Sequence, residues 1–387
     1  MKIMPHLPGL FKGLSTLLIL FTYGCSAPDH DYLAYAGTYT GKGSDGIYVY
    51  RFNSTNGDLI PIGLAAKTDN PSFIVIDPRG QFLYAVNETD QFLDESTGSI
   101  SAFAINKESG SLNLLQQISS LGAAPAHLSL DQSGKYLMVA NYTGGNAAVF
   151  PLYVDGKLGP QTAFIQSTGS SVNTDRQAGP HAHAIQTTPD NRFILLADLG
   201  VDKLVIHRFN ANAGTLEAID SGFVRLSPGS GPRHMTFSSS GRFVYVLNEL
   251  TSTVAVFELD SITGNMELRQ TLSTLPANFS GTNTAAEILT DSSGRFLYVS
   301  NRGDDSIELF RLDSLNGNLT AIERVSSGGT SPRHLEIDPT GQWLFATNQG
   351  SNSIARFRVD PASGRLTPHG KSTTLASPVC IRFVSVK

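Results

Sequence analysis

Cationic, acidic and imidazole side chains recur at two fixed places in this 387-residue chain. The first place lies ten residues before a recurring aromatic residue, and the second directly follows the residue that closes the same recurring phrase. The first place holds Ser72, Ala126, His183, Arg233, Ala286, Arg333 and, near the C-terminus, Val379. The second holds Glu88, Tyr142, Leu199, Glu249, Arg302 and Gln349. These residue types suit general acid-base catalysis and the binding of an anion or a polarised carbonyl group.

The recurring phrase is a turn followed by a short strand. It consists of a small or acidic residue, a turn that usually contains Gly, a basic or amide residue, an aromatic residue, apolar residues and, in most copies, Asn. The copies are DPRGQFLYAVN (77–87), DQSGKYLMVAN (131–141), PDNRFILLAD (189–198), SSSGRFVYVLN (238–248), DSSGRFLYVSN (291–301) and DPTGQWLFATN (338–348). A period of roughly 50 residues indicates stacked copies of one supersecondary unit.

Each unit contains four short β segments. An apolar stretch that opens on Pro precedes the phrase and pairs with it as a hairpin. A third segment alternates apolar and polar residues, as in STVAVFEL (252–259), and a fourth follows a Gly turn. Four antiparallel strands per unit, with almost no helical periodicity, predict an all-β fold of propeller blades.

The N-terminal and C-terminal segments together supply the strands of one further unit. The segment YLAYAG (32–37) begins a unit that lacks its opening strand, and SPVCIRF (377–383) supplies such a strand. Six complete units and one shared unit predict a seven-bladed β-propeller, closed by joining the terminal strands in one blade. If the opening strands are innermost, the two places ring one mouth of the central channel.

The first 25 residues differ from the rest. Lys2 and Lys12 precede the apolar run LSTLLILFTY, which ends near Cys25 and is too short for a stable membrane span. This pattern predicts a signal peptide over residues 1–25 of the lipoprotein type, with Cys25 lipidated, followed by a single propeller domain over 31–387. Thr22 lies three residues before Cys25, where lipoprotein signals prefer Leu. Cleavage after Ala27 by an ordinary signal peptidase is the alternative. Either processing predicts an exported protein, periplasmic or lipid-anchored to the membrane.

The net charge and the cysteine content limit the classes of partner and of stabilising site that the chain can have. The formal net charge is −5, and removal of the signal segment takes away two lysines, so no nucleic-acid partner is expected. After lipidation only Cys380 remains, and we expect it to be a buried apolar residue. No disulfide, metal or cofactor is predicted, and the sequence leaves the oligomeric state open.

Several segments together resemble the seven-bladed β-propeller lactonase family. They are RQAGPHAHAI (176–185), GPRHMTF (231–237), YVLNEL (245–250), NFSGTNTAAEILTDSSGRFLYVSNR (278–302) and SPRHLEIDPTGQWL (331–344). That family includes propeller-type 6-phosphogluconolactonases and carboxy-cis,cis-muconate cyclases, and the resemblance covers residues 32–383. It implies an active site of His183, Arg233, Glu249 and Arg302, all of which fall in the two places identified above.

The resemblance implies hydrolysis of a sugar lactone such as 6-phosphogluconolactone or a related aldonolactone. His183 or Glu249 would be the general base, with a pKa moved toward neutrality, and Arg233 and Arg302 would bind the oxyanion or a substrate anion. Further substrate contacts are expected from Arg176, His181 and Arg333. A cycloisomerase acting on a dicarboxylate and a propeller used only for binding are the alternatives. His127, His234 and His334 each follow the first place by one residue, at a position that holds Phe73 and Cys380 in other units, and we expect them to be structural.

Overall fold

The computed structural model describes residue 1 and residues 32–386. The predicted signal segment, Cys25 and the alternative cleavage point at Ala27 lie outside these described residues. Residues 32–386 form 29 β-strands and one 3₁₀ turn, Leu199–Val201. No helix in this part of the chain has the length and apolar character needed to cross a membrane.

The strands form seven sheets, which we call blades 1 to 7. Blade 1 contains β1 (Tyr32–Thr38), β2 (Gly46–Asn53), β3 (Asp58–Lys67) and the last strand, β29 (Pro378–Ser385). Blade 2 contains β4 (Ile74–Ile76), β5 (Phe82–Asn87), β6 (Ser99–Ile105) and β7 (Leu112–Ser119). Blade 3 contains β8 (Pro125–Leu130), β9 (Tyr136–Asn141), β10 (Asn146–Pro151) and β11 (Ala163–Gln166).

The other four blades repeat this order. Blade 4 contains β12 (Ala182–Thr187), β13 (Phe193–Asp198), β14 (Lys203–Asn210) and β15 (Thr215–Arg225). Blade 5 contains β16 (Pro232–Phe237), β17 (Phe243–Asn248), β18 (Thr253–Leu259) and β19 (Met266–Ser273). Blade 6 contains β20 (Thr284–Thr290), β21 (Phe296–Arg302), β22 (Ser306–Leu312) and β23 (Leu319–Ser326). Blade 7 contains β24 (Pro332–Ile337), β25 (Trp343–Asn348), β26 (Ser353–Val359), β27 (Leu366–Pro368) and the short β28 (Thr373–Thr374).

The opening strands lie innermost, as the sequence predicts. Each opening strand contacts the opening strand of the next blade, so that β4, β8, β12, β16, β20, β24 and β29 form a closed ring around the central channel. The seven-bladed architecture is confirmed. So is its closure, because β29 pairs antiparallel with β1, with Ser385 opposite Tyr32 and Cys380 opposite Gly37.

The recurring phrase folds as a tight turn because a side-chain oxygen, from Asp in most copies and from Thr or Ser in the others, accepts backbone hydrogen bonds. In blade 3, Asp131 Oδ1 accepts hydrogen bonds from the backbone N–H groups of Lys135 and Tyr136, each at 2.8 Å. Gly134, which directly precedes Lys135, has a φ of 65°, in the left-handed region that favours glycine. The turn starts the second strand on the face of the ring opposite the predicted site.

The hydrophobic core lies between neighbouring blades. One cluster joins Phe296 and Tyr298 of blade 6 to Leu335 and Leu344 of blade 7, all nearly inaccessible to solvent. Cys380 is fully buried in the closing strand, which confirms its predicted environment. Each blade therefore depends on its two neighbours, and the ring fixes the relative positions of residues far apart in sequence.

Candidate active site

β-Bulges place the key side chains of the opening strands. The pairing register shifts between Ala182 and Ala184, between Pro232 and His234, and between Pro332 and His334. The residue inside each shift is His183, Arg233 or Arg333. A bulge re-aims the side chain that it carries. The first place identified in the sequence is therefore a set of bulges at one end of the channel.

Glu249 is the centre of the site. It follows β17, and its backbone N–H donates to Gly231 O at 2.7 Å, which fixes the start of the loop. Its Oε1 accepts a hydrogen bond of 2.8 Å from Arg176 Nη2. Its Oε2 lies 3.0 Å from both Arg233 Nε and Arg302 Nη2. Three guanidinium groups from separate elements thus share one buried carboxylate.

His183 completes the predicted quartet. Its Nε2 lies 3.9 Å from Glu249 Oε2, and its side chain is only 5% exposed. Its Nδ1 is buried with no hydrogen-bond partner among residues 32–386. The structure therefore brings His183, Arg233, Glu249 and Arg302 together, and one imidazole nitrogen is left without a partner.

The electrostatics differ from the sequence-based expectation. Burial alone would raise the pKa of Glu249, but the charges of Arg302 and Arg233 outweigh it and hold that pKa well below its usual range. Burial, followed by the charge of Arg233, holds the pKa of His183 well below its usual value. The expectation that either pKa moves toward neutrality is therefore wrong. At neutral pH Glu249 is ionised and His183 is a neutral imidazole.

Arg233 is the most buried of the arginines. Its side chain is 3% exposed, and Nη1 donates to the backbone carbonyl of Ala286. Burial, with the charges of Arg302 and Arg333, lowers the pKa of Arg233 to about 9. The guanidinium remains charged at neutral pH, but its charge is not fully compensated by Glu249.

Arg176 and His181 lie on the loop before β12, as predicted. Arg176 Nη2 also donates to Tyr142 Oη at 3.1 Å, which ties the loop to blade 3. The His181 ring stacks on the Tyr142 ring with centroids 4.4 Å apart. Arg176 therefore reaches Glu249 directly, whereas His181 supports the tyrosine beside it.

Arg333 occupies the other side of the cavity. Its Nη2 donates to Tyr39 Oη at 2.7 Å, and Tyr39 in turn donates to Glu88 Oε2 at 2.7 Å. The Arg333 guanidinium lies 5.1 Å from the centre of the Tyr39 ring. Arg333 thus belongs to the same pocket as the quartet but has different partners.

Together these side chains enclose a cavity of about 440 Å³ at the mouth of the channel. Its lining is Tyr39, Glu88, Ala126, Tyr142, Arg176, His183, Glu249, Thr284, Arg302 and Arg333. With Arg233 beneath, four arginines face two glutamates, so positive charge is in excess. The cavity is therefore suited to an anionic or strongly polarised ligand.

A layer of rings closes the channel below the cavity. The ring centroids of Phe73 and His127 are 4.4 Å apart, and those of His127 and His234 are 5.2 Å apart. His234 Nδ1 lies 2.9 Å from Glu287 Oε1, and His334 is 1% exposed. These three histidines pack as structural residues, as expected, and they give the cavity a solid floor.

The sequence patterns did not indicate Tyr39 or Thr284, and they placed Glu88 among the residues that follow the recurring phrase without assigning it a role. Tyr39 escaped notice because blade 1 lacks both the aromatic residue and the Asn of the recurring phrase. The pairing register of β1 with β29 identifies Tyr39 as a site position. Thr38 pairs with Pro378 as Asn248 pairs with Pro232, so Tyr39 is the structural equivalent of Glu249.

The fold and the site define a seven-bladed β-propeller with an arginine-rich pocket at one mouth of its channel. The family model described as "Lactonase, 7-bladed beta-propeller" matches residues 33–383. The chain therefore belongs to the lactonase family of seven-bladed β-propellers, which is a family of enzymes.

Relatives and solved structures agree with this assignment. A 6-phosphogluconolactonase of Bacillus subtilis is 34% identical over 302 residues, covering 78% of this chain and 84% of that protein. A periplasmic gluconolactonase of Pseudomonas aeruginosa superposes with a TM-score of 0.85 at 35% identity, covering 92% and 99% of the two chains. A putative 6-phosphogluconolactonase of Bacteroides fragilis gives the same TM-score and identity, covering 93% and 99%. Family membership supports lactone hydrolysis as the activity.

Proposed function

We propose that this protein hydrolyses a sugar lactone, either 6-phosphogluconolactone or a related aldonolactone, in the cavity around Glu249. The observation that carries the proposal is the convergence of Arg176, Arg233 and Arg302 on one buried carboxylate. Preorganised cations in a partly dry pocket stabilise the negative charge that develops on a carbonyl oxygen during attack. The names of the Bacillus and Pseudomonas relatives support the same reaction class.

Arg302 is the best-placed donor to the lactone carbonyl. Its side chain lines the cavity and is 14% exposed, and its Nη2 lies 3.0 Å from Glu249 Oε2 and donates to the carbonyl of Ala285. The accessible N–H groups of this guanidinium would donate to an oxyanion at the moment when charge develops. Arg233, which is more deeply buried, would add a fixed charge behind it.

Glu249 and His183 handle the proton of the attacking water in this proposal. Both are in their basic form at neutral pH, but their lowered pKa values make them weak bases in the empty pocket. A substrate oxygen that competes for Arg302 would weaken the compensation of the Glu249 charge. The pKa of Glu249 would then rise toward the range of an effective base. His183 lines the same cavity, and its Nε2, which lies 3.9 Å from Glu249 Oε2, would accept a proton or orient the water.

The test compares acid release from 6-phosphogluconolactone and from glucono-lactone under a chelator, against the spontaneous rate. We expect acceleration by the purified chain lacking residues 1–25, and a loss of at least ~10²-fold in kcat/KM for Arg233→Ala. Arg269→Ala is the matched control, because Arg269 is a 40%-exposed surface arginine paired with Glu258. Thermal unfolding checks that each variant folds. An Arg233→Ala variant with an unaffected rate would refute the assigned role.

Cycloisomerisation of a dicarboxylate is the second candidate, because the excess of arginines over glutamates also suits two carboxylates. A protein that accelerates neither lactone but converts a carboxymuconate would favour it.

We further propose that the chain is exported, and lipid-anchored through Cys25. The periplasmic Pseudomonas relative supports export. Incorporation of labelled palmitate that persists in Cys25→Ser would contradict the anchor.

A further inference from the structure

Three residues from consecutive blades form a hydrogen-bonded unit on the side of the cavity away from His183. Tyr39 follows β1 of blade 1, Glu88 follows β5 of blade 2, and Arg333 is the bulge residue of β24 in blade 7. Arg333 Nη2 donates to Tyr39 Oη, and Tyr39 Oη donates to Glu88 Oε2, both at 2.7 Å. The Arg333 and Glu88 side chains are 18% and 19% exposed.

The direction of these two bonds is fixed. Burial raises the pKa of Tyr39 far above its ordinary value, so the phenol keeps its proton at neutral pH. The Tyr39 proton is donated to Glu88, which leaves the oxygen lone pairs to accept from Arg333. Glu88 therefore holds the tyrosine, and the tyrosine holds one end of the guanidinium.

Arg333 is less occupied than the arginines around Glu249. The hydrogen bond to Tyr39 is its only one among residues 32–386, and its Nη2 lies 3.9 Å from Glu88 Oε2, beyond hydrogen-bond distance. Arg176, Arg233 and Arg302, in contrast, each lie within 3.0 Å of Glu249. A guanidinium has five N–H donors, so most of those on Arg333 remain for a ligand.

Electrostatic repulsion among the arginines also indicates that Arg333 is available to bind an anionic ligand. Burial is the main cause of the lowered pKa of Arg233 and of Arg302, and the charge of Arg333 lowers both further, which means that the arginines repel each other across the cavity. An anion bound at Arg333 would relieve this repulsion. A carbonyl oxygen, in contrast, needs only the donors near Glu249.

We propose that Arg333 binds an anionic substituent of the substrate, a phosphate or a carboxylate. Tyr39 and Glu88 are the positioning residues that hold the Arg333 guanidinium. The orientation rests on the proposed function, which places the lactone carbonyl at Arg302 and Glu249. The substrate then spans the cavity, with its reacting carbon on one side and its anionic group on the other. Guanidinium groups bind both phosphate and carboxylate in a bidentate geometry, so the geometry of Arg333 suits either.

The test uses three unreactive sugars that differ only at carbon 6, namely glucose, glucuronate and glucose 6-phosphate. Dissociation constants are measured by calorimetry for the wild type, Tyr39→Phe, Arg333→Gln and Arg333→Lys. Tyr136→Phe is the matched control, because its hydroxyl also donates a hydrogen bond, to Asn212 O at 3.1 Å, but in another part of the ring. Circular dichroism verifies the fold of each variant.

We expect the wild type to bind at least one anionic sugar more tightly than glucose. This preference should fall about tenfold in Tyr39→Phe, since both hydrogen bonds of the Tyr39 hydroxyl are lost while the charge of Arg333 remains, and about 100-fold in Arg333→Gln. Arg333→Lys should recover part of the preference, because it retains the charge without the planar fork. A merely structural role would weaken binding of all three sugars equally and leave the ratio unchanged.

Three results would overturn the proposal. They are a wild type without preference for either anionic sugar, an unchanged preference in Arg333→Gln, and an equal loss in Tyr39→Phe and Tyr136→Phe. Tighter binding of glucose 6-phosphate identifies phosphate as the group, and tighter binding of glucuronate identifies carboxylate. Because binding needs no turnover, a chain that hydrolyses neither lactone but shows the expected preference contradicts the proposed function alone.

Discussion

Glu249 determines how the site behaves because three guanidinium groups depend on its single negative charge. Its side chain is 6% exposed, so little of the compensation comes from solvent. The same contacts that lower its pKa make it a weak base before substrate binds. In the mechanism proposed above, the substrate takes over some of the arginine donors, which links binding to proton transfer.

The pH dependence of turnover tests this account. With glucono-lactone, which carries no titrating phosphate, kcat/KM corrected for spontaneous hydrolysis should be flat between about pH 5 and 8. His183 and Glu249 both have lowered pKa values, so both stay deprotonated throughout that range. Above it, the rate should fall as Arg233 loses its proton, since its pKa is about 9. An acid limb centred near pH 6.5 that disappears in His183→Asn would show that the imidazole titrates normally.

At the scale of elements, the opening hairpin of each blade does two tasks. The strand between Pro232 and Phe237 pairs with its neighbour, while the bulge at Arg233 directs one side chain into the cavity. Gly231 precedes the bulge with a φ of 63°, and its carbonyl accepts the Glu249 N–H at 2.7 Å. The short sequence GPRH thus positions both partners of the central ion pair.

Substitution of Gly231 by Ala should damage both stability and activity. A Cβ there would lie 2.5 Å from Leu250 Cγ, the neighbour of Glu249 in the chain. Left-handed backbone costs a non-glycine residue about 1–2 kcal/mol, and the clash adds about 1–3 kcal/mol. Gly241→Ala is the control, because its φ is 72° but its Cβ would meet only Pro189 at 3.4 Å. Urea unfolding and kcat/KM should show a small stability loss with activity retained for the control. Equal effects in both variants would contradict the role of the clash.

The repeats explain how much of the site the sequence predicts. Alignment of the blades equates positions that lie at the same end of the channel, so His183, Arg233, Glu249 and Arg302 could be selected together. Tyr39 could not, since its blade has Leu33 and Thr38 where the other copies have an aromatic residue and Asn or Asp. The pKa values were predicted wrongly because they depend on the number of arginines around one carboxylate, which only the folded geometry reveals.

At the scale of the whole molecule, ring closure and the candidate site are coupled. Blade 1 takes its innermost strand from the C-terminus, and this strand lies between β4 and β24. Tyr39, Glu88 and Arg333 come from the closing blade and its two neighbours. The relative positions of these three residues therefore depend on the blade that joins both ends of the chain.

Deletion of residues 377–387 should prevent folding, because it exposes the edge of β1 and opens the core between blades 7 and 2. Fusion of residues 377–386 in front of Tyr32 through a short turn should restore it. Ser385 pairs with Tyr32, so the moved strand and β1 would form an ordinary hairpin. Soluble yield, thermal unfolding and sugar binding compare the two variants, which share residues 32–376 and differ in the presence of the closing strand. If the deleted chain folded and bound sugar as well as the rearranged one, the ring would not need its closing strand. Recovery only in the rearranged chain would locate closure in the pairing of β1 with β29, independent of where the chain begins.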